Sequence, residues 1–217
     1  MCSQNECNAN TQTPNHLTLT ITPTHLPTLG SSKSTPASRL GDLAWSKSPR
    51  TSSELFTLTY GSLVTFLLTN HPPSVVDEKL FKIGENIGSR IIDDYLSKTR
   101  QLGSTPNCAS FPDTAEQVTR AGLRMFLNVS ATHRITEKGY DITILKSPLL
   151  TYLEMPPPVP ITYSNVVAGC ISGCLKGVGW EGVKVEVVQE GEAGTVVRVE
   201  GGRRGGGDVG EGFKEEE

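Results

Sequence analysis

Five cysteines and four histidines are the side chains with the widest chemistry open to them in this 217-residue chain. Cys2 and Cys7 lie in a polar N-terminal stretch and carry no spacing signal. Cys170 and Cys174 stand four apart in an apolar run, where thiols on one helix face behave as small hydrophobes. Cys108 differs. It sits in Pro106-Asn-Cys-Ala-Ser-Phe-Pro112, just ahead of a predicted helix. The positive end of a helix macrodipole stabilises a thiolate there and makes it a better nucleophile. A nucleophile needs a base, and the folded part of the chain offers only His71, in a predicted turn, and His133, in a predicted strand. Neither is placed beside Cys108 by the sequence, so a thiol-dependent acyltransferase is a weak reading. No second His, Cys or carboxylate stands at metal-ligand spacing from either histidine, so no metal site is expected. Asp93 and Asp94 point about 100° apart on a helix and read as a solvated face rather than an acid/base pair. Gly201-Gly-Arg-Arg-Gly-Gly-Gly207 has no helix after it, as a phosphate cradle requires. Asn128-Val-Ser130 is a formal glycosylation sequon, placed at the start of a predicted strand. No catalytic residue is assigned.

Composition narrows the class. A net charge of −3 excludes a strongly basic nucleic-acid binder. No run approaches the ~20 apolar residues that span a bilayer, so membrane association is expected to be peripheral or lipid-mediated only. The odd cysteine count, without a CxxC, argues for a reducing compartment over a disulfide framework.

Residues 1–50 are rich in Ser, Thr, Asn and Pro, with Pro14, Pro23, Pro27, Pro36 and Pro49 interrupting any element. Such a stretch buries too little apolar surface to offset its ordering entropy, and disorder is expected. The alternating residues 17–22 could make a strand, but Pro23 ends it. A transit peptide is a lesser reading, since the first arginine is Arg39. Folding is expected from Thr51, where Thr51-Ser-Ser-Glu54 matches a capping box. Leu55, Phe56, Leu58, Leu63, Phe66 and Leu67 predict a helix with a broad apolar face, stopped at Asn70-His-Pro-Pro73. Val76, Leu80, Ile83, Ile87, Ile91 and Tyr95 predict a second helix over 75–98 with one apolar stripe. Gly84 and Gly88 within it predict close approach of another backbone, from this chain or a partner. A third helix is predicted over 114–127, burying Val118, Ala121, Met125 and Leu127. Strands follow near 129–135 and 140–145, then a short helix at 148–153 and a long one over 163–178. Residues 183–189 and 195–200 alternate as a hairpin. This order predicts one α+β domain over 51–200, a small antiparallel sheet packed on helices. Residues 201–217, Gly-rich and ending in three glutamates, are expected to be too flexible to pack.

Several blocks together resemble the subunits of TRAPP, the transport protein particle, and within that family the Bet-three type. They are Glu54-Leu-Phe-Thr-Leu-Thr-Tyr-Gly61 and Ile83-Gly-x-Asn-Ile-Gly-x-Arg-x-Ile-x-Asp-x-Leu96. Cys108 with Phe111, Thr114-Ala115, Met125-x-Leu127, Pro148-Leu-x-x-x-x-Glu-x-Pro156 and Ile161-x-Tyr-Ser-Asn165 continue the match over about 51–200.

The resemblance implies a four-stranded antiparallel sheet on a helical layer and a two-fold assembly, as homodimer or with a related subunit. It implies a non-enzymatic subunit of a cytoplasmic particle, peripheral at the cis-Golgi and endoplasmic reticulum. That particle tethers vesicles in endoplasmic-reticulum-to-Golgi traffic and exchanges nucleotide on a Rab-type GTPase. It implies a palmitoyl group on Cys108, buried in an apolar channel lined by Gly122, Tyr60 and Gly61, and no other cofactor. At ~0.8 kcal/mol per buried CH₂, such a chain would stabilise the fold rather than anchor it to a bilayer. Asn107 stands where relatives carry a basic residue. The glutamates at 215–217 could crowd the Mg²⁺ and phosphate region of a bound GTPase. The runner-up reading is a stand-alone small-molecule or lipid-binding module of the related ligand-sensing fold, with Cys108 at the pocket mouth.

Overall fold

The computed structural model describes residues 35–104, 108–150, 161–191 and 193–204. Helix α1 (Pro36–Lys47) precedes α2 (Ser53–Asn70) and the long α3 (Pro73–Gln101). Next comes one continuous helical rod: α4 (Phe111–Glu116), a π-helical segment (Gln117–Gly122) and α5 (Leu123–Leu127). Strands β1 (Ala131–Thr136) and β2 (Gly139–Ile144) lead to α6 (Asn165–Gly177), β3 (Trp180–Glu181), β4 (Lys184–Gly191), β5 (Gly194–Glu200) and β6 (Arg203–Arg204). Four strands make an antiparallel sheet in the order β1-β2-β5-β4, and β3 pairs with β6 separately. The α+β class and the four-stranded sheet on helices are as the sequence predicts.

Registry sets the sheet faces. Tyr140 pairs with Val199 and Ile142 with Val197, while Val185 pairs with Val199, so these side chains share the buried face. On the other face Arg134 and Arg198 flank Asp141 at 3.2 and 2.9 Å, an ion ladder across three strands. Both guanidiniums, Arg198 most, hold the Asp141 carboxyl below its ordinary range.

The α3–α6 contact explains the paired glycines. Gly84 and Gly88 lie against the backbone at Val166 and Cys170, and Gly169 and Gly173 lie against the backbone at Phe81 and Glu85. The close approach is internal. It redraws the predicted stripe: the buried line of α3 runs Val76, Leu80, Gly84, Gly88, Ile92, Tyr95, and Ile87 is exposed instead. The turn that enters α6 is held by acids from distant segments. Glu190 accepts from the backbone N–H of Tyr163 and Ser164 at 2.9 and 2.6 Å, and Asp77 accepts from that of Thr162 at 2.8 Å.

Four expectations change. Residues 36–47, expected to be disordered, form α1, because Ala37, Leu40, Gly41 and Ala44 at helical spacing bury one narrow face, and Thr35 caps the start ahead of Pro36. Helix α2 is capped by Ser52 rather than Thr51. It buries Thr57, Tyr60, Val64 and Leu67 and turns Leu55, Phe56, Leu58 and Phe66 outward. The start of the C-terminal tail packs after all: β6 pairs with β3, and the Arg204 guanidinium sits 5.9 Å from the Trp180 ring centre. Asn128 is not a strand residue but the left-handed C-cap of α5, at φ 54°. The predicted short helix at 148–153 is a turn over 148–150, and 151–153, the segment 17–22 and the terminal glutamates lie outside the described residues.

Candidate functional site

Cys108 stands just before α4. Ser110 caps that helix: Asp113 N–H donates to Ser110 Oγ at 3.4 Å, and Ser110 N–H donates back to Asp113 Oδ2 at 2.9 Å. Phe111 at the first helical position anchors the loop in the core. Its ring packs 5.4 Å from Tyr140 and 5.3 Å from Trp180, centre to centre. Gly202, at φ 102°, lies flat on the same ring, where a side chain has no room. Thr114 below it shares a 2.9 Å hydrogen bond with the Tyr140 hydroxyl. Burial raises that hydroxyl to about 12.

The thiol itself is half-buried. Burial pushes it above its ordinary 9.0, the Asp113 carboxylate adds to this, and Arg204 opposes it. The macrodipole expectation is therefore reversed. The capping carboxylate that completes the helix start places negative charge near the thiol, and burial disfavours its thiolate.

The rod carries the second feature. Six residues, Gln117–Gly122, wind as a π-helix, a geometry that recurs at functional sites because it opens the helix on one side. Gly122 closes this segment, and the space at its missing side chain meets only the Gln117 carbonyl, at 3.6 Å. Gly122 follows Phe111 by eleven positions, about 16 Å of rise, so the two lie along one helical rod. Tyr95 of α3 donates to Gln117 Oε1 at 2.9 Å and links α3 to the widened turn. Burial lifts the Tyr95 hydroxyl well above its usual range, and the Cys108 and Cys174 thiols add to the effect.

The other predicted residues sort differently. Tyr60 is buried in α2 and donates to the Tyr163 carbonyl at 2.6 Å. Burial first, then Glu190, raises its hydroxyl strongly. Gly61 has open space where a side chain would be. No hydrogen bond or ring contact among the described residues joins either to Cys108. His133 pairs through Nδ1 with Thr119 at 3.0 Å, and His71 caps the end of α2. No grouping of three or more His, Cys, Asp or Glu able to hold a metal occurs among the described residues. None of their helices is long and apolar enough to cross a membrane. Sequence reasoning missed the π segment and the tie from Tyr95 to Gln117, since neither has a spacing signature.

Comparison with known proteins adds to this geometry. A family model described as transport protein particle (TRAPP) component matches residues 56–200. Transport protein particle subunit bet3 of Schizosaccharomyces pombe is 36% identical over 144 residues, 64% of this chain and 76% of that protein. Trafficking protein particle complex subunit 3 of Dictyostelium discoideum is 36% identical over 144 residues, 64% of this chain and 75% of that protein. A crystal structure of trafficking protein particle complex subunit 3 from Naegleria fowleri, covalently bound to palmitic acid, superposes with a TM-score of 0.62 at 31% identity. That likeness covers 68% of this chain and 93% of the other.

Proposed function

We propose that this chain, which belongs to the transport protein particle (TRAPP) component family and resembles its Bet3-type subunits, carries a palmitoyl group on Cys108 and acts as a non-catalytic core subunit of the particle. In this reading it works at the cytoplasmic face of the cis-Golgi and endoplasmic reticulum. There it helps tether vesicles and assemble the surface that exchanges nucleotide on a Rab-type GTPase.

The observation that carries the acyl reading is the half-buried setting of Cys108 just before a helical rod that opens in its middle, at the π-helical segment closed by Gly122. The palmitic acid held covalently by the Naegleria fowleri structure supports it. Loading follows simple chemistry. The Cys108 sulfur attacks the carbonyl of palmitoyl-coenzyme A and a new thioester forms. The old thioester breaks, and the coenzyme A sulfur leaves with the proton. A buried chain then adds apolar area to the core.

The reading as a subunit draws support from α2. Leu55, Phe56, Leu58 and Phe66 face outward with Ile87 of α3, Leu58 being 69% exposed and Phe66 64%. An apolar helix face of that kind marks an interaction surface. A related subunit or a second copy, meeting it about a two-fold axis, would bury it.

Affinity purification from the protein's own cells under mild conditions tests the whole proposal, with mass spectrometry of the partners and of the intact chain. Sister subunits, together with a hydroxylamine-labile acyl group that the Cys108→Ser variant lacks, are the expected result. A lone homodimer with an exchangeable ligand would support the ligand-binding-module reading instead.

A further inference from the structure

Residues 201–204 lie beyond 56–200, the span shared with the family model, yet they are built into the described fold. Gly201 and Gly202 turn the chain out of β5 at φ 78° and 102°, a backbone region that favours glycine. Gly201 donates its N–H to the Lys138 carbonyl at 3.0 Å, and a Cβ there would come 2.6 Å from the Gly182 carbonyl. A Cβ at Gly202 would come 2.4 Å from the Phe111 ring. The turn is therefore fixed on three sides, and it lays β6 against the loop that carries Cys108.

The register of β6 on β3 decides which arginine faces that loop. Arg204 pairs with Trp180 and Arg203 with Glu181, so the two guanidiniums leave opposite faces of the ribbon. Trp180 is buried against the Phe111 ring, three residues after Cys108, and Arg204 sits over Trp180. Arg204 is exposed, and among the described residues no carboxylate stands within ion-pair distance of it. The charged and titratable groups that face the Cys108 thiol are Asp113 of α4, Arg204 of β6, and the Tyr95 and Tyr140 hydroxyls of α3 and β2. Burial keeps both hydroxyls neutral at ordinary pH, and Asp113 is negative, so Arg204 is the cation of the set.

We infer that Arg204 is the cationic partner of the reacting sulfur: its guanidinium, seated on Trp180, stabilises the Cys108 thiolate that attacks the acyl donor. The inference rests on the acyl reading proposed above. The Cys108 thiol gives its proton to solvent, and its sulfur forms a new thioester with the palmitoyl carbonyl of palmitoyl-coenzyme A. The old thioester breaks, and the departing coenzyme A thiolate takes a proton from solvent. Arg204 acts before the new bond forms, by raising the share of Cys108 present as thiolate.

Acylation of the full chain by palmitoyl-coenzyme A is timed by intact mass between pH 7 and pH 10, beside Arg204→Gln, Arg204→Lys and Arg203→Gln. At pH 7 Arg204→Gln is expected to react about fivefold more slowly, with the gap narrowing as pH rises through the thiol's midpoint. Arg204→Lys is expected to keep most of the rate, and Arg203→Gln, on the other face, all of it. The same order is expected with S-palmitoyl-N-acetylcysteamine, a thioester donor without phosphates. Equal rates for Arg204→Gln and the full chain at pH 7, or a gap that does not change with pH, would overturn the inference while leaving the acyl reading standing. So would an equal loss in Arg203→Gln, or an effect confined to the phosphate-bearing donor, which would make the arginine a docking point for coenzyme A. No acylation of the full chain by either donor would overturn both. Arg204 is exposed, so its variants are expected to keep the fold, which circular dichroism checks.

Discussion

Gly88 on α3 and Cys170 on α6 meet so closely that the Cys170 carbonyl occupies the space a side chain at position 88 would take. The relationship is reciprocal along both helices, since Gly173 presents the same bare surface to Glu85. Two backbones pack here without side chains between them, and this contact fixes where α3 places Tyr95.

Substituting alanine at Gly88 is expected to destabilise the protein. Helix propensity alone would favour alanine by about 1 kcal/mol. The overpacking at the carbonyl outweighs it, for a net loss of about 2 kcal/mol. Urea unfolding with an unchanged m-value would show a lower midpoint. An equal or higher midpoint would mean the helices separate at no cost.

Replacing Gly122 by phenylalanine is expected to fill the opened turn and to abolish acylation of Cys108, while Gly122→Ala retains it. Ordinary van der Waals room exists for one methyl group there and the next contact is backbone. Intact mass after incubation with palmitoyl-coenzyme A reads the difference.

Unacylated Cys108 is expected to react slowly with iodoacetamide at neutral pH. Its rate should rise with a midpoint above 9.0, because burial and Asp113 both disfavour the thiolate. Arg204→Ala removes the opposing charge and should move the midpoint higher. A midpoint below 9.0 would show the helix dipole winning over burial.

Acid should weaken the sheet through Asp141. Its folded carboxyl titrates below the ordinary 3.8, so its stabilising contribution is complete above that value. The contribution is lost as pH falls from there through the lower, folded value. The drop in urea midpoint between pH 6 and pH 3 is therefore expected to be smaller in Asp141→Asn than in the unchanged chain.

Charge on the outer face of α2 should break pairing. Leu58→Asp with Phe66→Glu alters side chains that touch no core, so the fold is expected to persist while sedimentation shows a smaller species or loss of sister subunits. Unchanged assembly would move the interface elsewhere.

Some of this was legible in the residues and some was not. The spacing along 75–98 fixed a long helix, and Gly84 with Gly88 announced a close neighbour, but only Gly169 and Gly173 in three dimensions identify it. The apolar residues of α2 predicted a helix correctly. They pointed the wrong way, since an exposed apolar face has the same periodicity as a buried one. Helix α1 was hidden by the prolines around it, although Ala37, Leu40, Gly41 and Ala44 keep a helical spacing. Cys108 was singled out by its place before a helix. Its electrostatics were misjudged because burial, with the Asp113 carboxylate adding to it, raises the thiol where a helix dipole alone would lower it. The π segment has no sequence signature, and neither has the hydrogen bond from Tyr95 to Gln117 at its head.

The acids that hold the turn entering α6 come from far along the chain: Asp77 from α3, and Glu190 from a hairpin strand made after the helix. Until that hairpin docks, the backbone N–H groups of Tyr163 and Ser164 at the entry to α6 lack their carboxylate partner, so the seating of α6 and the formation of the sheet are coupled events. The described domain should therefore melt in one transition, and a fragment ending before β4 should fail to hold α6.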